Sequence, residues 1–182
     1  TSMDVEVQQL AEKLLQNKVG SAVAINPKTG GVIAMASSPG YNPNLLTGNQ
    51  RRKTIGRLLL DTARPIYNRA IKGQYPPGST FKTVMAAIGM QEGIISDSTR
   101  FGCAGGYRMG SLRVGCHPHG SPLDLKNSIR ISCNAYYCKL YRSLIDHPKF
   151  GSVRNGFTKL AEHWKSFGLG EPLGIDLPGE KG

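Results

Sequence analysis

Acidic residues are scarce in this sequence, and long apolar runs are missing from it. The 182 residues contain 12 Asp and Glu against 23 Lys and Arg, which gives a net charge of +11 at pH 7. No apolar run approaches the roughly 18–20 residues that a membrane-spanning helix needs, so no transmembrane segment is predicted. Hydrophobic residues make up 39% of the chain, enough for a folded globular domain with a core.

The excess positive charge is concentrated in one segment that lacks the patterns of nucleic-acid-binding proteins. Between positions 51 and 72, Asp61 is the one acid among these cations: Arg51, Arg52, Lys53, Arg57, Arg64, Arg69 and Lys72. A phosphate-binding face, a solvated loop beside an anionic envelope, or no function would each account for them. Because no zinc-finger, helix-turn-helix or RNP pattern occurs, nucleic acid is not an expected partner. A basic scaffold or nucleic-acid-binding module remains the non-enzyme alternative.

Apolar periodicity and turn residues predict a chain of both helices and strands. An amphipathic helix capped by Thr1 or Ser2 is expected first, followed by a hairpin of two strands over 21–25 and 32–36. Further helices are predicted over 79–91, 123–131 and 134–145, and around 157–167. Segment 37–78 is rich in Pro and Gly, so we predict it to be irregular. Segment 101–120 is Gly-rich, with Cys and His interspersed. His147 and His163 are predicted to be surface residues.

Ser79-Thr80-Phe81-Lys82 places a hydroxyl and an amine on one face of a predicted helix, because residues three apart are neighbours there. At a helix start, unpaired N–H groups and the helix dipole favour a developing negative charge. Ser79 could attack a carbonyl if Lys82, its pKa lowered by burial, took the proton. The pattern alone is common, and an ordinary surface Ser–Lys pair is the alternative.

Two further features strengthen the catalytic interpretation. Tyr75-Pro76-Pro77-Gly78 is a stiff turn that delivers Ser79 to the start of a helix. Ser132-Cys133-Asn134 lies at a break between two predicted helices. A second hydroxyl and an amide at this break could relay a proton and hold a substrate amide.

Gly-Ser-Thr-Phe-Lys, followed about fifty residues later by Ser-x-Asn, resembles the penicillin-binding proteins, whose motifs, with those of their class A β-lactamase relatives, are S-x-x-K, S-D-N and K-T-G. The resemblance extends over nearly the whole chain. Segments 23–30 and 34–39 are similar to the opening strands of a class B transpeptidase domain, and segments 68–70 and 174–178 strengthen the resemblance. Within class B, the similarity is greatest to the penicillin-binding protein 2 group of cell-elongation enzymes, in a form like that of Bacteroidetes.

The resemblance implies an α+β fold of the β-lactamase/DD-peptidase type, with a five-stranded antiparallel sheet and a helical subdomain. It implies peptidoglycan D,D-transpeptidation with no cofactor for catalysis. Ser79 would be the nucleophile, Lys82 its base, Ser132 a proton relay and Asn134 a substrate-orienting amide. β-Lactams would acylate the same serine. A serine β-lactam hydrolase or sensor that shares Ser-x-x-Lys is the alternative enzyme.

One departure from the family pattern concerns the third motif. No Lys-Thr-Gly or Lys-Ser-Gly follows Ser132. We therefore expect residues 1–182 to be the N-terminal portion of a single transpeptidase domain, without the later sheet strands. The resemblance also implies a location at the periplasmic face of the inner membrane, with the anchor outside this chain. Stem peptides are the expected substrates, and membrane proteins of the elongation machinery are expected partners through absent regions.

Three cysteines and a histidine form a candidate metal site. Cys103 and Cys116 bracket a Gly-rich loop, and His119 or His117 could be a third ligand, with His119 favoured. Cys133 stands between Ser132 and Asn134, so a structural zinc ion would brace that loop, as in some relatives that resemble this chain. A Cys103–Cys116 disulfide and free buried thiols are the two alternatives. Cys138 is predicted to be a small core residue.

Overall fold

The structure is a computed structural model that describes residues 2–180, which fall into two compact units. The first unit comprises 2–74 with 172–180, and the second comprises 75–171. Within 2–180, none of the helices combines the length and the apolar character that crossing a membrane requires.

The first unit is built on the predicted helix and hairpin. Helix α1 (Val5–Leu14) packs on strand β2 (Val32–Ser38), which pairs antiparallel with strand β1 (Gly20–Ile25). The cap of α1 is neither Thr1, which lies outside the described residues, nor Ser2. Asp4 has the N-cap position, and its carboxylate accepts hydrogen bonds from the N–H groups of Glu6 and Val7. A carboxylate there satisfies two otherwise unpaired donors.

The segment predicted to be irregular, 37–78, contains two helices, so that prediction was wrong in part. Helix α2 (Arg51–Leu60) carries most of the basic cluster, and helix α3 (Arg69–Lys72) follows after a loop. Arg69 is buried, and its guanidinium donates to the carbonyl oxygens of Ala63 and Arg64. Composition alone groups Arg69 with the exposed cations of this segment. Its guanidinium instead satisfies the hydrogen-bonding capacity of carbonyl oxygens in the loop.

The second unit has a helical core made by α4 (Phe81–Gln91), α5 (Leu125–Ile131), α6 (Asn134–Ile145) and α7 (Val153–Ser166). These four elements confirm the predicted helices to within a few residues at their ends. The apolar face of α6 is the centre of the core, where Tyr136 and Leu140 are fully buried. The tyrosine rings of α6 are therefore part of the hydrophobic core, where burial of a large aromatic ring is stabilising.

A β-hairpin crosses the Gly-rich segment 101–120, for which the sequence predicts no strand. Strand β3 (Gly106–Met109) pairs antiparallel with strand β4 (Leu112–Gly115) through a two-residue turn at Gly110-Ser111. Gly110 has a positive φ of 58°, as the first central residue of a tight hairpin turn requires. Apolar and basic residues alternate along both strands, a signal that the high Gly content obscured.

His163 is buried on α7, so its prediction as a surface residue was wrong. Its Nε2 lies 2.5 Å from Oε1 of Glu92, which ends α4. Lys149 donates to the other carboxylate oxygen of Glu92 at 2.6 Å and to its carbonyl oxygen. This cluster ties the end of α4 to α7 within the second unit. Glu92 and His163 are 71 residues apart in sequence, so local patterns could not reveal their contact.

Candidate active site

The predicted nucleophile Ser79 lies at the entrance of α4. The turn of 3₁₀ helix Gly78–Thr80 leads directly into α4, so the serine precedes the α-helix instead of belonging to its first turn. Gly78 has a positive φ of 61°, which suits glycine best and directs the chain from Pro77 into the helix. Thr80 Oγ1 donates to the carbonyl oxygen of Pro77, which tightens this turn.

Lys82 and Ser79 meet through Ser132, across 50 residues of sequence. The ammonium of Lys82 donates to Ser132 Oγ at 2.8 Å, to the Ser132 carbonyl oxygen at 2.7 Å and to Asn134 Oδ1 at 2.7 Å. Ser132 Oγ donates in turn to Ser79 Oγ at 2.9 Å. The four predicted catalytic residues therefore form one connected hydrogen-bonded group, with Ser132 between the nucleophile and the base.

Ser132 owes its position to a strained backbone at the junction of α5 and α6. It ends α5 in the left-handed conformation, with φ 59° and ψ 45°, which is unusual for a residue with a side chain. Cys133 then caps α6, its sulfur accepting from the N–H of Tyr136. The break predicted from Ser132-Cys133-Asn134 is therefore a sharp reversal that exposes the serine hydroxyl toward Ser79 and Lys82.

Asn134 is held between Lys82 and the hairpin. Its Nδ2 donates to the carbonyl oxygen of Gly115, the last residue of β4, at 2.8 Å. Because Oδ1 accepts from Lys82 and Nδ2 donates to Gly115, the amide has one orientation. The second N–H of the amide stays available to a ligand. Sequence reasoning did not assign Gly115 a role.

Burial shifts the protonation of Lys82 toward the neutral amine. Desolvation lowers the pKa of Lys82 below the usual lysine value, and the nearby thiols of Cys116, Cys133 and Cys138 oppose this shift in part. Its Nζ also lies 5.8 Å from the ring centre of Tyr137. A lowered pKa makes proton acceptance by the amine easier at neutral pH.

An apolar cavity of about 580 Å³ opens beside Lys82 and Asn134. The hairpin contributes the side chains of one face, Tyr107 and Met109 from β3 with Leu112 and Val114 from β4, and α4, α6 and α7 complete the walls. This apolar wall removes water from one side of the ammonium, which is consistent with the direction of its pKa shift.

The predicted metal ligands also converge. One donor atom from each of Cys103, Cys116, His119 and Cys133 lies within 4.8 Å of all the others, and the Cys116 and Cys133 sulfurs are 3.9 Å apart. All four cysteines of the chain are free thiols. The set includes His119 and excludes His117. Cys138 is half-buried outside the set.

Electrostatics distinguish the thiols of this cluster. Burial opposes ionisation of Cys116, but the N–H of Ala135, 3.2 Å away, and its polar neighbours outweigh burial and lower the pKa of the thiol. Burial raises the pKa of Cys133 to about 11. His119 Nδ1 lies 2.7 Å from the carbonyl oxygen of Gly120, while its buried Nε2 has no hydrogen-bond partner within 2–180.

Comparison with known proteins identifies relatives along the whole chain. Residues 20–182 match the family model described as penicillin binding protein transpeptidase domain. The peptidoglycan D,D-transpeptidase MrdA of Acinetobacter baumannii is 31% identical over 187 residues, covering 98% of this chain and 26% of the relative. The chain therefore spans about a quarter of the length of that curated relative.

Solved structures resemble the fold closely. The crystal structure of Pseudomonas aeruginosa PBP2 in complex with WCK 5153 has a TM-score of 0.83 and 31% identity, over 98% of this chain and 39% of the other. The imipenem acyl-enzyme complex of penicillin-binding protein A from M. tuberculosis has a TM-score of 0.79 and 27% identity, over 94% of this chain and 40% of the other. The α+β prediction is confirmed by these similarities.

Proposed function

The chain belongs to the penicillin-binding protein transpeptidase family, and we propose that it carries the acylating centre of a peptidoglycan D,D-transpeptidase that acts in cell-wall elongation. The observation that supports this proposal most directly is the continuous path of hydrogen bonds from Ser79 Oγ through Ser132 Oγ to Lys82 Nζ. A relative in the same family forms an acyl-enzyme with imipenem.

In the proposed acylation step, Lys82 begins as a neutral amine. Ser79 Oγ attacks the carbonyl carbon of the penultimate D-Ala, and its proton passes to Ser132 Oγ while the proton of Ser132 passes to Lys82 Nζ. Ser132 ends the step unchanged, and Lys82 ends it as an ammonium. Collapse of the tetrahedral intermediate breaks the peptide bond, and a proton from the same path leaves with the terminal D-Ala amine.

Resolution of the acyl-enzyme uses the same groups in the reverse order. The amine of a neighbouring stem peptide attacks the ester carbonyl, and Lys82, again neutral, accepts its excess proton. The ester bond breaks, Ser79 recovers its proton through Ser132, and a new cross-link forms. Asn134 would orient the substrate amide through its free N–H, since Lys82 and Gly115 already fix the plane of its side chain.

Labelling with a fluorescent penicillin tests the proposal. The full chain is incubated with the label until the reaction ends, and the modified peptide is mapped. We expect Ser79 to carry the label and Ser79→Ala to carry none, whereas Ser111→Ala, at the exposed tip of the hairpin, keeps it. Label retained by the Ser79→Ala variant would refute the assignment. Rapid release of hydrolysed penicillin would favour the β-lactam hydrolase alternative.

The Cys103, Cys116, His119 and Cys133 cluster fits a structural zinc ion. Tetrahedral ligands about 2.3 Å from zinc stand about 3.8 Å apart, close to the 3.9 Å between the Cys116 and Cys133 sulfurs. If Nδ1 of His119 donates to Gly120, the unpartnered Nε2 has a lone pair available for a metal. A zinc ion here would hold Cys133 and thereby brace Ser132 and Asn134, without entering the acylation step.

Metal analysis of the purified full chain tests the zinc proposal. We expect close to one equivalent of zinc and a fall in thermal stability after chelation, because the metal binds only the folded cluster. His119→Ala should lose the metal, whereas Cys138→Ser should retain it. A metal-free preparation with a Cys103–Cys116 disulfide in the peptide map would support the oxidised alternative.

We further propose that the protein acts at the periplasmic face of the inner membrane beside membrane proteins of the elongation machinery. The support is chemical, since a peptidoglycan cross-linking enzyme must reach its polymer outside the cytoplasm. Fractionation of cells that express the natural full-length protein, with protease added to spheroplasts, provides the test. Protection from that protease would contradict the location.

A further inference from the structure

One face of α2 carries three cations of the basic cluster, which have no role in the proposed acylation. Residues three, four and seven apart lie on the same face of a helix. The basic face of α2 therefore consists of Arg52, Lys53, Gly56, Arg57, Leu59 and Leu60. A Cβ added to Gly56 would meet no atom within 4 Å, so the middle of this face is open. The helix packs on the 3₁₀ turn Pro43–Leu46, and its less exposed side chains are Thr54, Ile55 and Leu58.

The cations of the basic face are not neutralised by the part of the protein that the structure describes. Arg52, Lys53 and Arg57 are exposed, and none of them forms an ion pair with a residue of 2–180. Asp61, the one acid of the segment, accepts a hydrogen bond from the N–H of Ala63 instead. Arg52 and Lys53 also lie in the first turn of α2, where the positive end of the helix dipole disfavours cations. Cations kept at a cost to local stability are typical of a functional surface.

Two leucines of the basic face are exposed to water beside these cations. Leu59 and Leu60, at the end of α2, are 68% and 85% exposed. Leu59 follows Arg52 by about two helical turns, and Leu60 follows Lys53 by the same distance, so each leucine lies in line with a cation. An acidic polymer or an acidic protein tail would bind the cations and leave both leucines in water. A bilayer with anionic headgroups accommodates both, because long basic side chains reach the headgroups while leucines enter the acyl region.

We propose that the basic face of α2 binds an anionic phospholipid surface, with its cations at the lipid phosphates and its two leucines at the boundary of the acyl region. Of the interpretations open to the basic cluster, this is a phosphate-binding face. The surface belongs to the first unit, and the proposal does not depend on acylation of Ser79. Attachment through a few cations and two leucines is reversible, since each cation near an anionic bilayer strengthens binding only several-fold.

Sedimentation of the full chain with lipid vesicles tests the proposal. Vesicles of equal parts phosphatidylglycerol and phosphatidylcholine are compared with vesicles of phosphatidylcholine alone. We expect the chain to bind the anionic vesicles, less tightly as salt is raised, and to bind the neutral ones little. R52Q/K53Q/R57Q should bind the anionic vesicles about 100-fold more weakly, because each cation contributes roughly five-fold. L59Q/L60Q should bind them about 10-fold more weakly with an unchanged salt dependence.

K13Q/K28Q/R154Q is the matched control, because it lowers the net charge equally by removing three exposed cations from scattered positions. It should bind the anionic vesicles like the unmodified chain. The unfolding midpoint of R52Q/K53Q/R57Q should equal or exceed that of the unmodified chain, which separates lost binding from lost folding.

Equal losses of vesicle binding in the two triple variants, or unchanged binding in R52Q/K53Q/R57Q, would overturn the proposal. Binding to poly-L-glutamate that is tighter than binding to the vesicles, and that L59Q/L60Q leaves unchanged, would also overturn it, since the partner would then be an acidic polymer. Labelling of Ser79 by fluorescent penicillin should be the same in all these variants. A failure of the vesicle experiment therefore leaves the proposed function untouched, and a failure of labelling leaves the lipid surface untouched.

Discussion

At the residue scale, the assignment of Lys82 as the base depends on its loss of a proton. Lys82→Arg keeps the positive charge, but arginine does not become neutral in proteins. We expect acylation by a fluorescent penicillin to slow by at least about 100-fold, the usual size of a general-base contribution. Lys126→Arg on α5 is the control and should react normally. A Lys82→Arg variant with an unchanged rate would place the base elsewhere.

The proton path makes a separate prediction for Ser132, whose backbone is left-handed. Ser132→Gly and Ser132→Ala both remove the hydroxyl, so both should slow acylation to a similar extent. Glycine tolerates a φ of 59°, whereas alanine does not, so the glycine variant should be about 1 kcal/mol more stable. Urea unfolding and acylation rates measure the two effects. A normal rate in either variant would exclude Ser132 from the path.

At the scale of elements, two glycines inside helices should respond to alanine with opposite signs. A Cβ on Gly156 in α7 would lie 2.3 Å from the carbonyl oxygen of Ile145 at the end of α6, whereas one on Gly56 in α2 would meet nothing within 4 Å. Gly156→Ala must push two helices apart, and we expect it to lose at least about 2 kcal/mol of unfolding free energy. Gly56→Ala should gain about 0.5–1 kcal/mol from helix propensity. Equal effects in urea titrations would contradict the close packing of α6 and α7.

The contact between α4 and α7 should make stability depend on pH. The hydrogen bond from Lys149 and then that from His163 lower the pKa of Glu92 in the folded state. A depressed carboxyl pKa stabilises the fold above the unfolded pKa, and this stability is lost as pH falls through the folded value. Glu92→Gln should therefore cost about 1–3 kcal/mol near neutral pH, and the difference should shrink in acid. Glu162→Gln, in an exposed pair, should change little at either pH.

At the scale of the whole molecule, the chain carries two of the three family motifs. Its one Lys-Thr-Gly, residues 28–30, lies in the turn between β1 and β2 of the first unit, and none follows Ser132. Because the third motif of the resembled family adjoins the oxyanion hole, we expect residues 1–182 to react with penicillin at least about 100-fold more slowly than the Acinetobacter relative. Rates within tenfold of each other would show that residues 1–182 suffice for acylation without the third motif.

Three interpretations stay predictions. They are that residues 1–182 are the N-terminal portion of one transpeptidase domain, that the chain is similar to the Bacteroidetes form of the family, and that the four assigned residues are catalytic. The two described units are each folded around their own contacts, and membership of the transpeptidase family rests on similarity over residues 20–182.

Local sequence patterns determined the helices of the second unit, the first hairpin and the candidate residues. Ser79 and Lys82 could be paired by helical spacing, and Ser132-Cys133-Asn134 could be placed at a helix break, because both depend on interactions within a few residues. The Gly-rich segment also held a readable hairpin signal at Gly110-Ser111 that composition obscured.

Only the tertiary structure decided how distant residues combine. It placed Ser132 between Ser79 and Lys82, fixed Asn134 against Gly115, and opposed Arg108 to Arg113 across the hairpin. It also buried His163 against Glu92. Such contacts join residues separated in sequence and depend on which faces pack together and which polar groups lose water. Periodicity and spacing specify each element and its faces, whereas these partners follow from the packing of the complete core.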